Sequence, residues 1–211
     1  MPKILKTGAD GSEEIILNQA VEILAGGGII AYPTETFYGL GTDATNEKAI
    51  EKIFIVKGRD FKNPISLIID QPENIYPLVK DIPESARKLL AAFWPGALTI
   101  VFSAANNVSP LLTAGSGKIG LRVSSHPIAQ KIVQKIKRPL TATSANLSST
   151  PECTRVSEVS KQIGDKLDAI VDWGMTHGGK ASTIIDVTCD QPVILREGAI
   201  SRKAIKRHID T

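Results

Sequence analysis

Residues 119–146, IGLRVSSHPIAQKIVQKIKRPLTATSAN, decide the fold. Ile119–Val123 is a short apolar run of strand length, and its period of two sends Arg122 to the face opposite Leu121 and Val123. That face is either a cleft wall or open to water. Residues 127–136 then show helical spacing, with basic side chains on the open face. A second strand at 140–143 delivers the turn Thr143-Ser144-Ala145-Asn146. Strand, helix and strand in succession make an α/β unit.

Working outward, 13–25 carries Ile16, Ala20, Ile23 and Leu24 at helical spacing and ends at three glycines, 26–28. A strand at 29–32 stops at Pro33, and the polar turn Thr34-Glu35-Thr36 and the segment 37–41 follow. Asn46 is the expected cap of a helix with Ala49, Ile50, Ile53 and Phe54 on one face, which runs out at Lys57-Gly58-Arg59. Further strands are expected at 65–69, 98–103, 169–172, 183–188 and 192–195. Further helices are expected from Pro83 to near Trp94, over 156–167 and over 201–209. The alternation is irregular and several strands are consecutive. This predicts a mixed sheet with helices on its faces rather than a regular doubly wound one. No Pro/Ser-rich linker divides the chain, so 1–211 reads as a single domain.

With 42% hydrophobic residues the 211-residue chain can bury a substantial core. A net charge of +3 permits an anionic ligand without implying nucleic acid. Cys153 and Cys189 lie far apart and, with His126, His177 and His208, make no metal-site spacing, so free thiols in a reducing cytoplasm are expected. No leader pattern opens the sequence and no apolar run reaches membrane-spanning length, so no membrane partner is expected.

Several short segments carry chemistry. Lys57 offers a compact charge and Arg59 a fork that can hold two oxygens, with Gly58 allowing close approach; an ordinary basic helix end has the same look. Ser144 and Asn146 follow a strand end, where ligands of open α/β sheets bind, although Ser and Asn also favour plain turns. Thr34 and Thr36 flank a carboxylate after another strand end. Ser182 precedes a strand and Arg196 ends one. Gly115-Ser116-Gly117-Lys118 lacks Walker spacing and precedes a strand, not a helix. No nucleophile has an evident base, which suits chemistry run by charge neutralisation and positioning.

Taken together, AYPTETFYGLG (31–41), KGR and its following NP (57–64), WPGALT (94–99), IGLRV (119–123), TATSANLSS (141–149), ASTIID (181–186) and ILREGAI (194–200) resemble the YrdC/TsaC family, the threonylcarbamoyl-AMP synthases. The resemblance covers about Leu17 to Ile209. It implies an open, twisted mixed α/β sheet around a deep, positively charged cleft, and the signature tetrad falls on Lys57, Arg59, Ser144 and Asn146. It further implies a nucleotidyltransferase that converts L-threonine, bicarbonate or CO2, and ATP with Mg2+ into threonylcarbamoyl-AMP and pyrophosphate. A separate transferase would then modify adenosine 37 of ANN-decoding tRNAs. By resemblance, Lys57 and Arg59 neutralise phosphates and carbamate, and Ser144 and Asn146 bind the nucleotide phosphates or magnesium. Asn63 and Arg196 add ATP contacts, and Thr34, Thr36, Arg122 and Ser182 hold threonine.

Two departures stand out: Asp60 where many members carry Pro, and Ile68 near where many carry a His that helps hold threonine. The chain resembles the short form without an extra C-terminal domain. A paralogue using another carbamoyl substrate stays open. So does a double-stranded RNA or tRNA-binding module, with weak RNA binding by the basic helix (Arg202, Lys203, Lys206, Arg207). The 5% aromatic content argues against a single-strand stacking platform. The Ser-rich stretch 147–155 reads as a lid.

Overall fold

The computed structural model describes residues 1–6 and 12–209. In chain order the elements are β1 (Lys3–Lys6), α1 (Glu13–Ala25), β2 (Ile30–Pro33), β3 (Tyr38–Gly41), α2 (Glu47–Lys57), β4 (Ser66–Ile68), a 3-10 helix (Pro72–Leu78), α3 (Glu84–Phe93), β5 (Leu98–Ser103) and α4 (Pro110–Thr113). They continue with β6 (Lys118–Arg122), α5 (Pro127–Ile136), β7 (Leu140–Ser144), α6 (Val156–Ile163), a 3-10 turn (Gly164–Lys166), β8 (Ala169–Asp172), β9 (Thr183–Asp186), β10 (Val193–Arg196) and α7 (Arg202–Ile209).

All ten strands join one sheet in the order β1-β8-β2-β3-β7-β4-β6-β5-β9-β10. Pairing is parallel for β1/β8, β2/β8, β4/β6 and β5/β9, and antiparallel elsewhere. The expected mixed sheet flanked by helices is therefore present. Helix α2 starts at the expected cap, where the Asn46 side chain accepts from Ala49 N.

Two strands were not legible in the sequence. β1 buries only Leu5 and is otherwise exposed, so it carries no apolar pattern. β3 reads Tyr-Gly-Leu-Gly, and glycine is a poor strand former. Here the glycines are required by packing. A Cβ on Gly39 or Gly41 would meet the Tyr32 ring at 3.0 and 2.5 Å. The turn 34–37 thus closes a hairpin, β2 against β3.

The two faces of the sheet are covered unequally. On one face α2, α3, α6 and α7 pack over nearly its whole width, on Ala31, Leu40, Leu67, Leu121, Ile100 and Ile185. On the other, α1 and α5 cover only the half built by β1, β8, β2, β4 and β7, burying Ile30, Tyr32, Ile68 and Leu140. The lysines on the open face of α5 are not idle: Lys131 and Lys135 each reach 2.5 Å from Glu13 and Glu14 of α1. Beyond α5 that same face carries Thr99, Arg122 and Ile184, and no helix among the described residues covers it.

Candidate active site

A cleft of about 190 Å3 occupies this uncovered face. Alternation along the strands decides which side chains line it. On β4, Leu67 faces the covered core while Ser66 faces the cleft; on β5, Thr99 does so between buried Leu98 and Ile100. On β6 Arg122 reaches the cleft and is only 7% exposed, which resolves the ambiguity left by the alternation of IGLRV. A Cβ on Gly120 would meet Ser66 Oγ at 2.5 Å, so the glycine keeps the floor open.

Of the ten expected site residues, seven line this one cleft: Thr34, Thr36, Arg59, Arg122, Ser144, Ser182 and Arg196. They come from the β2–β3 turn, the end of α2, and the ends of β6, β7, β9 and β10. Three guanidiniums meet one lining carboxylate, Glu152. Arg59 follows Gly58, which takes a left-handed conformation (φ 59°) and ends α2 with Arg59 N donating to Phe54 O. Its side chain is braced by Asn63 O (3.3 Å) and Pro64 O (2.8 Å). Arg196 is clamped on Ser182, with Nε and Nη2 donating to its carbonyl at 3.1 and 2.8 Å. Burial lowers the pKa of both arginines from their ordinary value, yet both remain cations.

Arg122 stands 3.6 Å from Glu35 Oε1, while the other Glu35 oxygen accepts from the Ser124 hydroxyl. Glu35 Oε1 and Arg122 Nε are buried without a hydrogen-bond partner among the described residues. Arg122 lines the cleft wall, where its guanidinium places a charge that can receive an anion. The hydroxyls of Thr34 and Thr36 lie 3.2 Å apart, and the Thr34 hydroxyl donates to Phe37 O at 2.6 Å.

The other three expected residues lie elsewhere. Lys57 is 2% exposed and points away from the cleft, at the turn after β7. Its Nζ donates to Ser144 O (2.5 Å), Asn146 O (2.8 Å) and Asn146 Oδ1 (3.1 Å). Burial, with Arg59 adding, lowers its pKa from 10.5 to about 8. Asn146 is 4% exposed, and its Nδ2 donates to Thr150 O at 2.6 Å. Asn63 is exposed and contributes its carbonyl to Arg59.

Both departures from the family pattern find a structural place. Asp60 Oδ1 accepts from Lys62 N at 2.9 Å, and this side-chain-closed turn stands where a proline would stiffen the loop. Ile68 is fully buried beneath α5. On this strand the residue that reaches the cleft is Ser66, two positions earlier on the same face. The Gly115–Lys118 segment leads directly into β6, and Lys118 pairs with Asp186 at 2.8 Å. The polar stretch 147–155 is tied down: Ser148 N donates to Lys57 O, and Thr150 Oγ1 to Leu147 O and Gln162 Oε1.

The sequence reading missed Tyr32, Ser66, Thr99 and Glu152 as lining residues. Ser66 and Thr99 had a signal, a lone polar residue at period two inside an otherwise apolar strand; Glu152 had none.

The Sua5/YciO/YrdC family model, described as telomere recombination, matches residues 22–198. The chain belongs to this family. It is 38% identical over 197 residues to the threonylcarbamoyl-AMP synthase of Pyrococcus abyssi, covering 93% of this chain and 58% of that protein. The Bacillus subtilis threonylcarbamoyl-AMP synthase is 37% identical, over 89% of this chain and 55% of its own length. This chain thus spans somewhat over half the length of these curated relatives. The Photobacterium profundum enzyme of that name is 37% identical over 86% of this chain and is itself covered to 98%. Among solved structures, P. abyssi Sua5 complexed with L-threonine superposes with a TM-score of 0.93 at 36% identity, covering 99% of this chain and 61% of that one. Escherichia coli YciO gives 0.88 at 28%, covering 97% of this chain and all of that one.

Proposed function

We propose that this chain is a threonylcarbamoyl-AMP synthase, which forms threonylcarbamoyl-AMP and pyrophosphate from ATP, L-threonine and bicarbonate or CO2. The observation that carries the reading is the convergence of Arg59, Arg122 and Arg196 with the hydroxyls of Thr34, Thr36, Ser144 and Ser182 in one cleft. The names of the relatives and the L-threonine bound to P. abyssi Sua5 support it.

In this reading the threonine amine takes up CO2, and the resulting carboxylate attacks the α-phosphorus as pyrophosphate leaves. Two anions must approach each other, so the cleft has to neutralise charge and fix geometry. Arg122 holds the threonine carboxylate, and Thr34, Thr36 and Ser182 surround the amino acid. Arg59 and Arg196 take the phosphates, and Ser144 donates its hydroxyl. Glu152 is the cleft carboxylate that would hold magnesium, which would offset phosphate charge when it accompanies ATP. The product would serve a downstream transferase acting on adenosine 37 of tRNA, and the setting would be the cytoplasm. No helix among the described residues is long and apolar enough to cross a membrane.

Incubation with ATP, Mg2+, bicarbonate and L-threonine, followed by prompt chromatography, tests this. A threonine-dependent adenylate with matching pyrophosphate is expected. ATP binding without that product, or equal product from serine, would move the assignment to a paralogue with another acceptor.

A further inference from the structure

Within the proposed reaction, the tetrad divides into two pairs with different duties. Lys57 lies on the buried face of α2 with Ile50, Ile53 and Phe54, and the left-handed Gly58 after it turns the chain so that Arg59 reaches the cleft. An ammonium has three protons to donate, and all three of Lys57's are engaged, by Ser144 O, Asn146 O and Asn146 Oδ1. The return link is made by Ser148 N, which donates to Lys57 O at 2.9 Å. Asn146 is fixed on its other side by Thr150 O.

We infer that Lys57 is a positioning residue: its ammonium fastens the Ser144–Asn146 turn to the end of α2 and contacts none of the substrates. For the ammonium to swing to a phosphate it would have to abandon three oxygens at a buried site, leaving them without a donor. What it holds in place is Ser144, which lines the cleft beside Arg59 and whose hydroxyl makes no hydrogen bond to a described residue. Asn146 belongs to the same fastening, because its amide oxygen faces the ammonium and its Nδ2 faces the loop.

This rests on the proposed function, and the test separates the two. Wild type, Lys57→Met and Arg59→Ala are compared for ATP affinity by calorimetry and for adenylate formation at saturating substrates. Failure of the wild type to make adenylate overturns the proposed function. Given wild-type activity, Lys57→Met should keep an ATP Kd near wild type while kcat falls about 10²-fold, the scale of a misplaced reacting geometry. Arg59→Ala should weaken ATP binding outright. The double variant Lys57→Met/Asn146→Ala should be no slower than the worse single variant, because both act through one turn. Loss of ATP binding in Lys57→Met equal to that in Arg59→Ala would overturn the inference. A crystal structure of the wild type with a non-hydrolysable ATP analogue gives a reading independent of any variant. Nζ should remain on its three oxygens, and a direct Nζ–phosphate hydrogen bond would overturn the inference.

Discussion

The two ends of the signature tetrad are built alike and placed oppositely. Arg59 and Ser144 line the cleft; Lys57 and Asn146 lie behind them, buried and bonded to each other. Each short motif contributes one side chain to each layer. The outer layer has donors to spare and little to lose in stability, whereas in the inner layer all three ammonium protons of Lys57 are committed and Asn146 is bonded on both sides. A motif of this kind reads in sequence as four equivalent contacts; the split comes from the place of Lys57 on the buried face of α2, the left-handed Gly58 that follows it and the bend after β7.

The largest effect expected from this contrast is on rate. Arg59→Ala should lower adenylate formation by about 10²–10³ while thermal unfolding stays close to wild type, since its guanidinium is braced only by two loop carbonyls. Ser144→Ala should likewise fold normally. A large fall in melting temperature in both would erase the distinction between layers.

The inner layer should respond in stability as well. Lys57→Met leaves Ser144 O, Asn146 O and Asn146 Oδ1 short of a donor, and each buried unpaired group costs about 1–3 kcal/mol. Denaturant unfolding should show a clear loss for Lys57→Met and for Asn146→Ala, and none for Ser144→Ala.

A pH series sharpens the same point. The Lys57 pKa falls from 10.5 to about 8 in the folded protein, so between these values the unfolded chain binds the proton and the folded one releases it. Stability attributable to Lys57 should therefore rise with pH across that window. The wild type should gain on Lys57→Met as pH climbs from about 8; a constant difference would mean that the ammonium is not desolvated. The smallest effect concerns the thiols. Burial pushes Cys153 up to about 11, while Cys189 is exposed. An alkylating reagent at mildly alkaline pH should modify Cys189 alone in the native protein, and both thiols after unfolding.

Much of this was legible in the sequence, for stated reasons. Helical spacing fixed α1, α2 and α5, and the Asn46 cap lies where the residue type demands. Six of the seven cleft residues were legible because they sit beside strand ends or on the odd face of an apolar strand, and Arg59 because it follows the glycine that ends a helix. What escaped were features set by the third dimension. β3 hides behind two glycines that exist for Tyr32. Helix 156–167 ends at Ile163 because Gly164 begins a tighter 3-10 turn. Ile68 looked like a lost substrate contact, yet its side chain lies under α5, out of reach of the cleft. Lys57 shares the buried face of α2 with Ile50, Ile53 and Phe54, so its inward direction followed from helical spacing, whereas the turn of Arg59 to the cleft depends on the Gly58 dihedral.

The central question is whether this cleft joins threonine, CO2 and ATP. The most direct measurement follows labelled bicarbonate into nucleotide with the wild-type protein, with threonine present or omitted. The account predicts label in an adenylate only when threonine is present, with one pyrophosphate released per label. Pyrophosphate release without label, or label that appears equally without threonine, would contradict it.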